Sequence, residues 1–337
     1  MPPRASRLVS RLVSCLAAAL AAVMSFCCLW APAQAQQWPA KTVRILIGTA
    51  PGGTADTLGR LLAQKFSEDF KESFIVENIT GAGGLIACEL VRKAAPDGYT
   101  LLVTGGSQHT ILPTITKNFP YNSVRDFDHI AMLGGPPTVL VVNPDLPARS
   151  LKELIALAEK DPGKLSYGSP GIGTTGHLIG EHFKQLTKIG MVHVPYRGAN
   201  PAVADVIAGH IPVASTTLVA AAPQIAAGKV RALAVTADRR VNAFPDVPTF
   251  AELGYPDLTS LAWFALSGPR GLPPDIVQRL NADTRRILQL PEVRERLRPE
   301  GFLEPSTLDA EAFTGFLADE LKRWAAVIRT AGVQIEN

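Results

Sequence analysis

Two glycine-rich stretches of this 337-residue chain stand where chemistry could be done: Ala50-Pro51-Gly52-Gly53-Thr54-Ala55-Asp56 and Gly168-Ser169-Pro170-Gly171-Ile172-Gly173-Thr174-Thr175. Each follows a run of β-branched and apolar residues and precedes an amphipathic one, so each is expected at a strand-to-helix junction. Glycine opens backbone angles closed to other residues, and the first turn of a helix leaves its amides unpaired and carries about half a positive charge. Anions bind such loops without a basic side chain, and neither stretch contains Lys or Arg. The expected ligand is therefore a carboxylate or similar anion. Its contacts are expected at Pro51, Gly52, Gly53, Thr54, Ala55 and Asp56 in the first loop, and at Ser169, Gly171, Gly173, Thr174 and Thr175 in the second. Thr54, Ser169, Thr174 and Thr175 are the candidate hydroxyl donors, while Asp56 reads as a first-turn residue that complements the helix dipole. The alternative for either loop is a tight turn with a helix cap.

Ser107, in Gly105-Gly106-Ser107-Gln108-His109, is a further candidate contact, because open α/β sheets bind ligands at the carboxyl ends of their strands. Arg197 offers a basic residue near the same edge, with an exposed surface charge as its plainer reading. Other motifs compete. Gly171-Ile172-Gly173-Thr174-Thr175-Gly176 spells G-x-G-x-x-G after an expected strand, the pattern of a dinucleotide site, but no Asp or Glu stands where a ribose would need one. Tyr167 occupies the place where a hydrolase nucleophile elbow requires glycine. His177 and His182 are spaced one residue too far apart for an inverted zinc motif, so they read as solvent-facing or capping. No metal or cofactor is expected.

The elements that must hold these loops follow from periodicity. Apolar strand-like runs at 43–47, 74–77 and 99–104 alternate with helical patterns carrying Leu58, Leu61, Leu62 and Phe66, then Ile86, Leu90, Val91 and Ala94. Comparable units continue with strands at 138–142, 165–168, 192–196 and 230–236 and helices at 151–159 and 177–186. The class is α/β, with mostly parallel sheets. The stretches 134–137 and 260–264 are the expected crossings between two lobes. Lobe 1 is then 36–138 plus 262–337, and lobe 2 is 139–261. The tail from Pro274 reads as helices.

Residues 1–35 do not read as part of the fold. Arg4, Arg7 and Arg11 precede an apolar run from Leu12 to Trp30 that closes on Ala33-Gln34-Ala35, the form of a secretory signal peptide cut before Gln36. A retained anchor is the alternative, since that run approaches the roughly 20 residues that span a bilayer. Lipidation at Cys27 or Cys28 is disfavoured by the bulk of Phe26. Cleavage leaves Cys88 as the one cysteine, which excludes an internal disulfide, and leaves 30 basic against 30 acidic side chains. Nucleic acid is thereby excluded as a partner, because a phosphate backbone calls for a basic footprint.

Longer motifs point to a family. Trp38-Pro39, Pro51-Gly52-Gly53 with Asp56, Val76-Glu77-Asn78, Gly81-Ala82-Gly83-Gly84, Pro96-Asp97-Gly98-Tyr99, Tyr167-Gly168-Ser169, Val194-Pro195-Tyr196-Arg197-Gly198 and Asp246-Val247-Pro248-Thr249 together resemble the Bug, or TctC-like, extracytoplasmic receptors of tripartite tricarboxylate transporters. The resemblance implies a two-lobed, type II-like Venus-flytrap binding protein of the periplasm. Its small carboxylate would lie between the lobes, held partly through water, and its partners would be the integral-membrane subunits of a transporter. A monomer without catalytic activity is expected; a periplasmic enzyme acting on a small carboxylate, or a sensor without a transporter, are the rival readings. The family commonly places Thr directly before the aspartate, where this chain has Ala55.

Overall fold

The computed structural model describes residues 38–298, 302 and 308–333; the expected signal peptide lies outside them. Residues 38–40 form no regular element, and the bond between Trp38 and Pro39 is cis.

From Lys41 onward the chain builds β1 (Val43–Ile47), α1 (Thr54–Phe70), β2 (Phe74–Asn78), α2 (Leu85–Arg92), β3 (Thr100–Gly105), α3 (Leu112–Ile115) and β4 (Phe127–Gly134). There follow β5 (Thr138–Val142), α4 (Leu151–Lys160), β6 (Leu165–Ser169), α5 (Thr175–Thr187), β7 (Met191–Pro195), α6 (Ala199–Ile207), β8 (Val213–Thr217), α7 (Leu218–Ala226) and β9 (Arg231–Val235). The last elements are β10 (Phe264–Pro269), α8 (Pro274–Gln289), α9 (Pro291–Leu297) and α10 (Ala310–Ala331).

Two five-stranded sheets result, in the orders β2-β1-β3-β10-β4 and β7-β6-β8-β5-β9. In the first, β1 runs parallel to β2 and β3, while β10 is antiparallel to β3 and β4. In the second, β6 runs parallel to β7 and β8, while β5 is antiparallel to β8 and β9. The sheets are thus mixed. The reversed strand in each is the one that receives the chain from the other sheet: it enters at the edge where its neighbours end, so it must run away from that edge.

The two connections between sheets lie side by side. Residues 135–137 lead from β4 to β5, and 236–263 lead from β9 back to β10. Pro137 and Leu261 form an antiparallel bridge, and the Ala262 amide donates to Pro136 O at 2.9 Å. A Cβ on Gly135 would stand 2.1 Å from Ala262 O, so only glycine lets the two crossings touch.

Burial follows the helical and strand periods. Leu58, Leu61, Leu62 and Phe66 of α1 are all buried. On the second sheet, Leu140, Val142 and Val213 pack with Leu154, Leu178 and Phe183 on one face. Val139, Val141 and Ala214 pack with Val203, Val206 and Leu218 on the other. This alternation is what a strand covered by helices on both sides requires. On α2 the expected face is corrected: Ile86 and Leu90 are exposed, and the buried side chains are Ala87, Cys88 and Val91. The close approach of the 81–84 loop to β1 turns the small residues inward.

Helix α10 touches both sheets' cores. Phe313 and Leu317 pack with Met132, Trp263 and Ala265 beside the first sheet, whereas Trp324, Val327 and Ile328 join the cluster of the second. Ile111, Leu112 and Ile115, which follow β3 of the first sheet, are in that second cluster too.

Candidate functional site

The first loop leaves β1 at Gly48, where a Cβ would meet Gly84 Cα at 2.6 Å. Thr49 through Gly53 are exposed, and Gly52 has φ of 86°. Gly53, in extended conformation, precedes the first turn of α1, which contains Thr54, Ala55 and Asp56. Asp56 is buried, and both its carboxylate oxygens are engaged. Oδ2 accepts the Gly52 amide at 3.0 Å and Arg60 Nε at 2.9 Å; Oδ1 accepts Asn78 Nδ2 at 2.9 Å. Asn78 Nδ2 also donates to Thr49 O at 3.0 Å. The Arg60 guanidinium, helped by the Gly52 amide and Asn78, outweighs burial and holds the Asp56 carboxyl at about 2. Asp56 therefore braces the loop from within and is itself neutralised by Arg60. The amides at the start of α1 face no uncompensated carboxylate from this loop.

Ser107 opens a wide turn, Ser107–Ile111, that continues β3 into α3. Beside it, Gln108 donates from Nε2 to Gly83 O at 2.6 Å and accepts from Thr104 Oγ1 at 3.2 Å. This turn links the two loops. At its start it is tied to the 81–84 loop that supports Gly48. Beyond its end, in α3, Ile115 Cδ1 stands 2.8 Å from where a Cβ on Gly173 would be.

The second loop leaves β6 at Ser169, which is fully buried. Ser169 Oγ accepts the Gly171 amide at 3.2 Å and lies 2.7 Å from His193 Nε2. Thr174 caps α5: its Oγ1 accepts the His177 amide at 3.3 Å and donates to Gly171 O at 2.7 Å. Gly171 and Gly173 both have positive φ, 136° and 77°, a region that favours glycine. Thr175 follows in the first turn of α5 and is partly exposed. The hydroxyls of Ser169 and Thr174 thus shape the loop, and Thr175 stands at the helix start. The glycine spacing serves packing as well: a Cβ on Gly176 would meet Ser215 O at 2.5 Å. Tyr196 and Gly198 donate backbone bonds to Ser169 O and Pro170 O at 3.0 Å each, which places Arg197 alongside the loop with its side chain exposed.

His177 and His182 are not solvent-facing. His177 is buried, and its Nδ1 accepts the Gly173 amide at 3.3 Å; His182 is partly buried on the same helix. Burial, foremost, lowers the pKa of both. Among the described residues no group of three or more His, Cys, Asp or Glu side chains is arranged to hold a metal ion. Asn78, Gln108, His177 and His193, which fix the loops, are functional supports that the motif reading did not assign. Asn78 closes β2 and Gln108 follows β3, whereas His193 lies within β7 and His177 in the first turn of α5, where no local signal marks them.

The profile of the tripartite tricarboxylate transporter family receptors (TctC) matches residues 58–333. Protein BugT of Bordetella pertussis is 34% identical over 307 residues, covering 91% of this chain and 94% of BugT. The solved structure of R. palustris Rpa4515 with adipate is 33% identical and superposes with a TM-score of 0.78, covering 88% of this chain and 99% of that one. MatC (Rpa3494) from Rhodopseudomonas palustris with bound malate is 31% identical, with a TM-score of 0.74 over 86% of this chain and 100% of its own. With its two helix-flanked mixed sheets and its two strand-to-helix loops, the chain belongs to the receptor family of the tripartite tricarboxylate transporters.

Proposed function

We propose that this protein captures a small carboxylate between the loops at 49–56 and 169–175 and presents it, unchanged, to integral-membrane transporter subunits. The observation that carries the reading is the pairing of two helix starts on two sheets, each preceded by a glycine loop. The one carboxylate in those loops, Asp56, is already neutralised by Arg60. An anion at such a site gains from the first-turn amides and the helix dipole without meeting a like charge. Ligand contacts are assigned to Pro51, Gly52, Gly53, Thr54, Ala55, Ser107, Gly171 and Thr175, while Asp56, Ser169, Gly173 and Thr174 hold the loops in shape.

The lobes are 36–138 with 262–337, and 139–261, in keeping with which strands share a sheet. Export by a signal peptide cleaved before Gln36 delivers the receptor to the periplasm as a monomer. No helix among the described residues is long and apolar enough to cross a membrane. One contact favours the enzyme reading, the 2.7 Å approach of Ser169 Oγ to His193 Nε2, but a fully buried hydroxyl offers no face to a substrate.

The test is a thermal-shift panel of mono- and dicarboxylates, adipate and malate included, on the chain beginning at Gln36, followed by recovery of the ligand. Stabilisation with the ligand recovered intact is expected. A product, or no shift with any carboxylate, would overturn the reading.

A further inference from the structure

The second loop is held from beneath by imidazoles. His177, in the first turns of α5, accepts the Gly173 amide at Nδ1, an atom that can accept only while it carries no proton. Its ring stacks on that of His193 with centroids 4.0 Å apart, and His193 in turn meets the Ser169 hydroxyl that receives the Gly171 amide. Three positions of the loop, 169, 171 and 173, are therefore fixed through one histidine pair. Gly173 is also where the loop touches Ile115 of the first lobe.

We propose that neutral His177 is the positioning residue of the second loop, and that proton uptake by the stacked pair detaches the loop and releases the bound carboxylate. Protonation would set an N–H of His177 against the N–H of Gly173 and place charge 4.0 Å from a second imidazole. The surrounding groups are few. Tyr167 on β6 donates to Glu181 Oε1 at 2.6 Å, and Lys184 on α5 lies 2.9 Å from the same carboxylate. Ile111, Leu112 and Ile115 bring no charge to Gly173. Burial, then Lys184, favour the neutral form of His177, against Glu181; burial, then the neighbouring His177, hold His193 down at about 3. A detached loop would return these rings toward their ordinary value of 6.5. The detached state then binds more protons, and affinity is full at neutral pH and declines as pH falls below about 6.5.

This inference rests on the assignment of 169–175 as a binding loop, so two readouts separate the claims. In the ligand-free protein, the Gly173 amide resonance should move with the titration of the His177 ring. Independent movement would overturn the pairing whether or not any carboxylate binds. With adipate and malate as probes, affinity of the wild type should fall on the order of tenfold per pH unit within the window. The double variant His177→Asn, His193→Gln keeps polar atoms near the Nδ1 and Nε2 positions without titrating, and it should lose that slope. The ligand's own protonation is common to both proteins. Equal slopes in the two would sink the proposal, even if carboxylate binding itself stands.

Discussion

Replacing Asp56 by Asn tests whether the first loop is braced from within. The carboxyl lies at about 2 against an ordinary 3.8, a depression worth roughly 2.5 kcal/mol at ~1.4 kcal/mol per pH unit. Arg60 is half exposed and solvent screens its share, which brings the expected loss of stability to about 1–2 kcal/mol. A depressed carboxyl contributes stability above its unfolded pKa and loses it as pH falls through the folded one. Urea melts of wild type and Asp56→Asn should therefore differ by a constant amount from pH 5 to 8, converge below about 3.8 and coincide near 2. The carboxylate affinity of the variant should drop by about tenfold or more, because an amide keeps one acceptor oxygen and turns the other into a donor, so that Gly52 and Asn78 can no longer both be held. Tighter binding after removal of the charge would place Asp56 against the ligand. Unchanged stability and affinity together would refute the bracing role.

Gly135→Ala should destabilise the fold by about 1–3 kcal/mol, since its Cβ meets a backbone oxygen that cannot swing aside; a denaturant midpoint equal to wild type would contradict the zipped crossings. Cys88 is fully buried, and burial pushes its thiol up to about 11. In the chain beginning at Gln36 a thiol reagent should label nothing natively and one site in urea. His129, buried against Ser123 O and Ser267 Oγ, is held at about 4 chiefly by burial. Unfolding must add its proton, so stability should fall with pH below about 6.5, and His129→Gln should flatten that fall in thermal melts.

The parts legible in the sequence were those whose signal is local. Strand β1 and helix α1 announced themselves because Val43, Ile45 and Ile47, then Leu58, Leu61 and Leu62, repeat at the spacing that burial demands. Strands β4, β8 and β10 did not. Asp128 and His129 interrupt β4, Ser215 and Thr216 make β8 look like a turn, and Gly268-Pro269 closes β10. Strands β8 and β10 lie inside their sheets and β4 at an edge, and what places them is contact distant in sequence, as where Ser267 of β10 meets His129 of β4 from 138 residues away. The glycine loops were readable for the same local reason. The supports of Asp56 were not: Asn78 reaches it from 22 residues away, a separation that periodicity does not encode. The exposed Ile86 and Leu90 were misread because helical spacing identifies a face without saying which way it turns.

Helix α10 carries a mechanical consequence. Its grip on one core begins at Phe313 and its grip on the other ends at Ile328, a span of about 22 Å at 1.5 Å per residue. A helix neither stretches nor folds over that distance. Two adjoining crossings would permit a wide swing between the halves, yet this rod limits travel to arcs that keep both its ends seated. A wider swing must expose Trp324, Val327 and Ile328, at roughly 1.5–3 kcal/mol for each large side chain. The angular range is therefore set less by the pliancy of the crossings than by the helix that joins the two cores, and shortening that tether would be felt where Gly173 approaches Ile115.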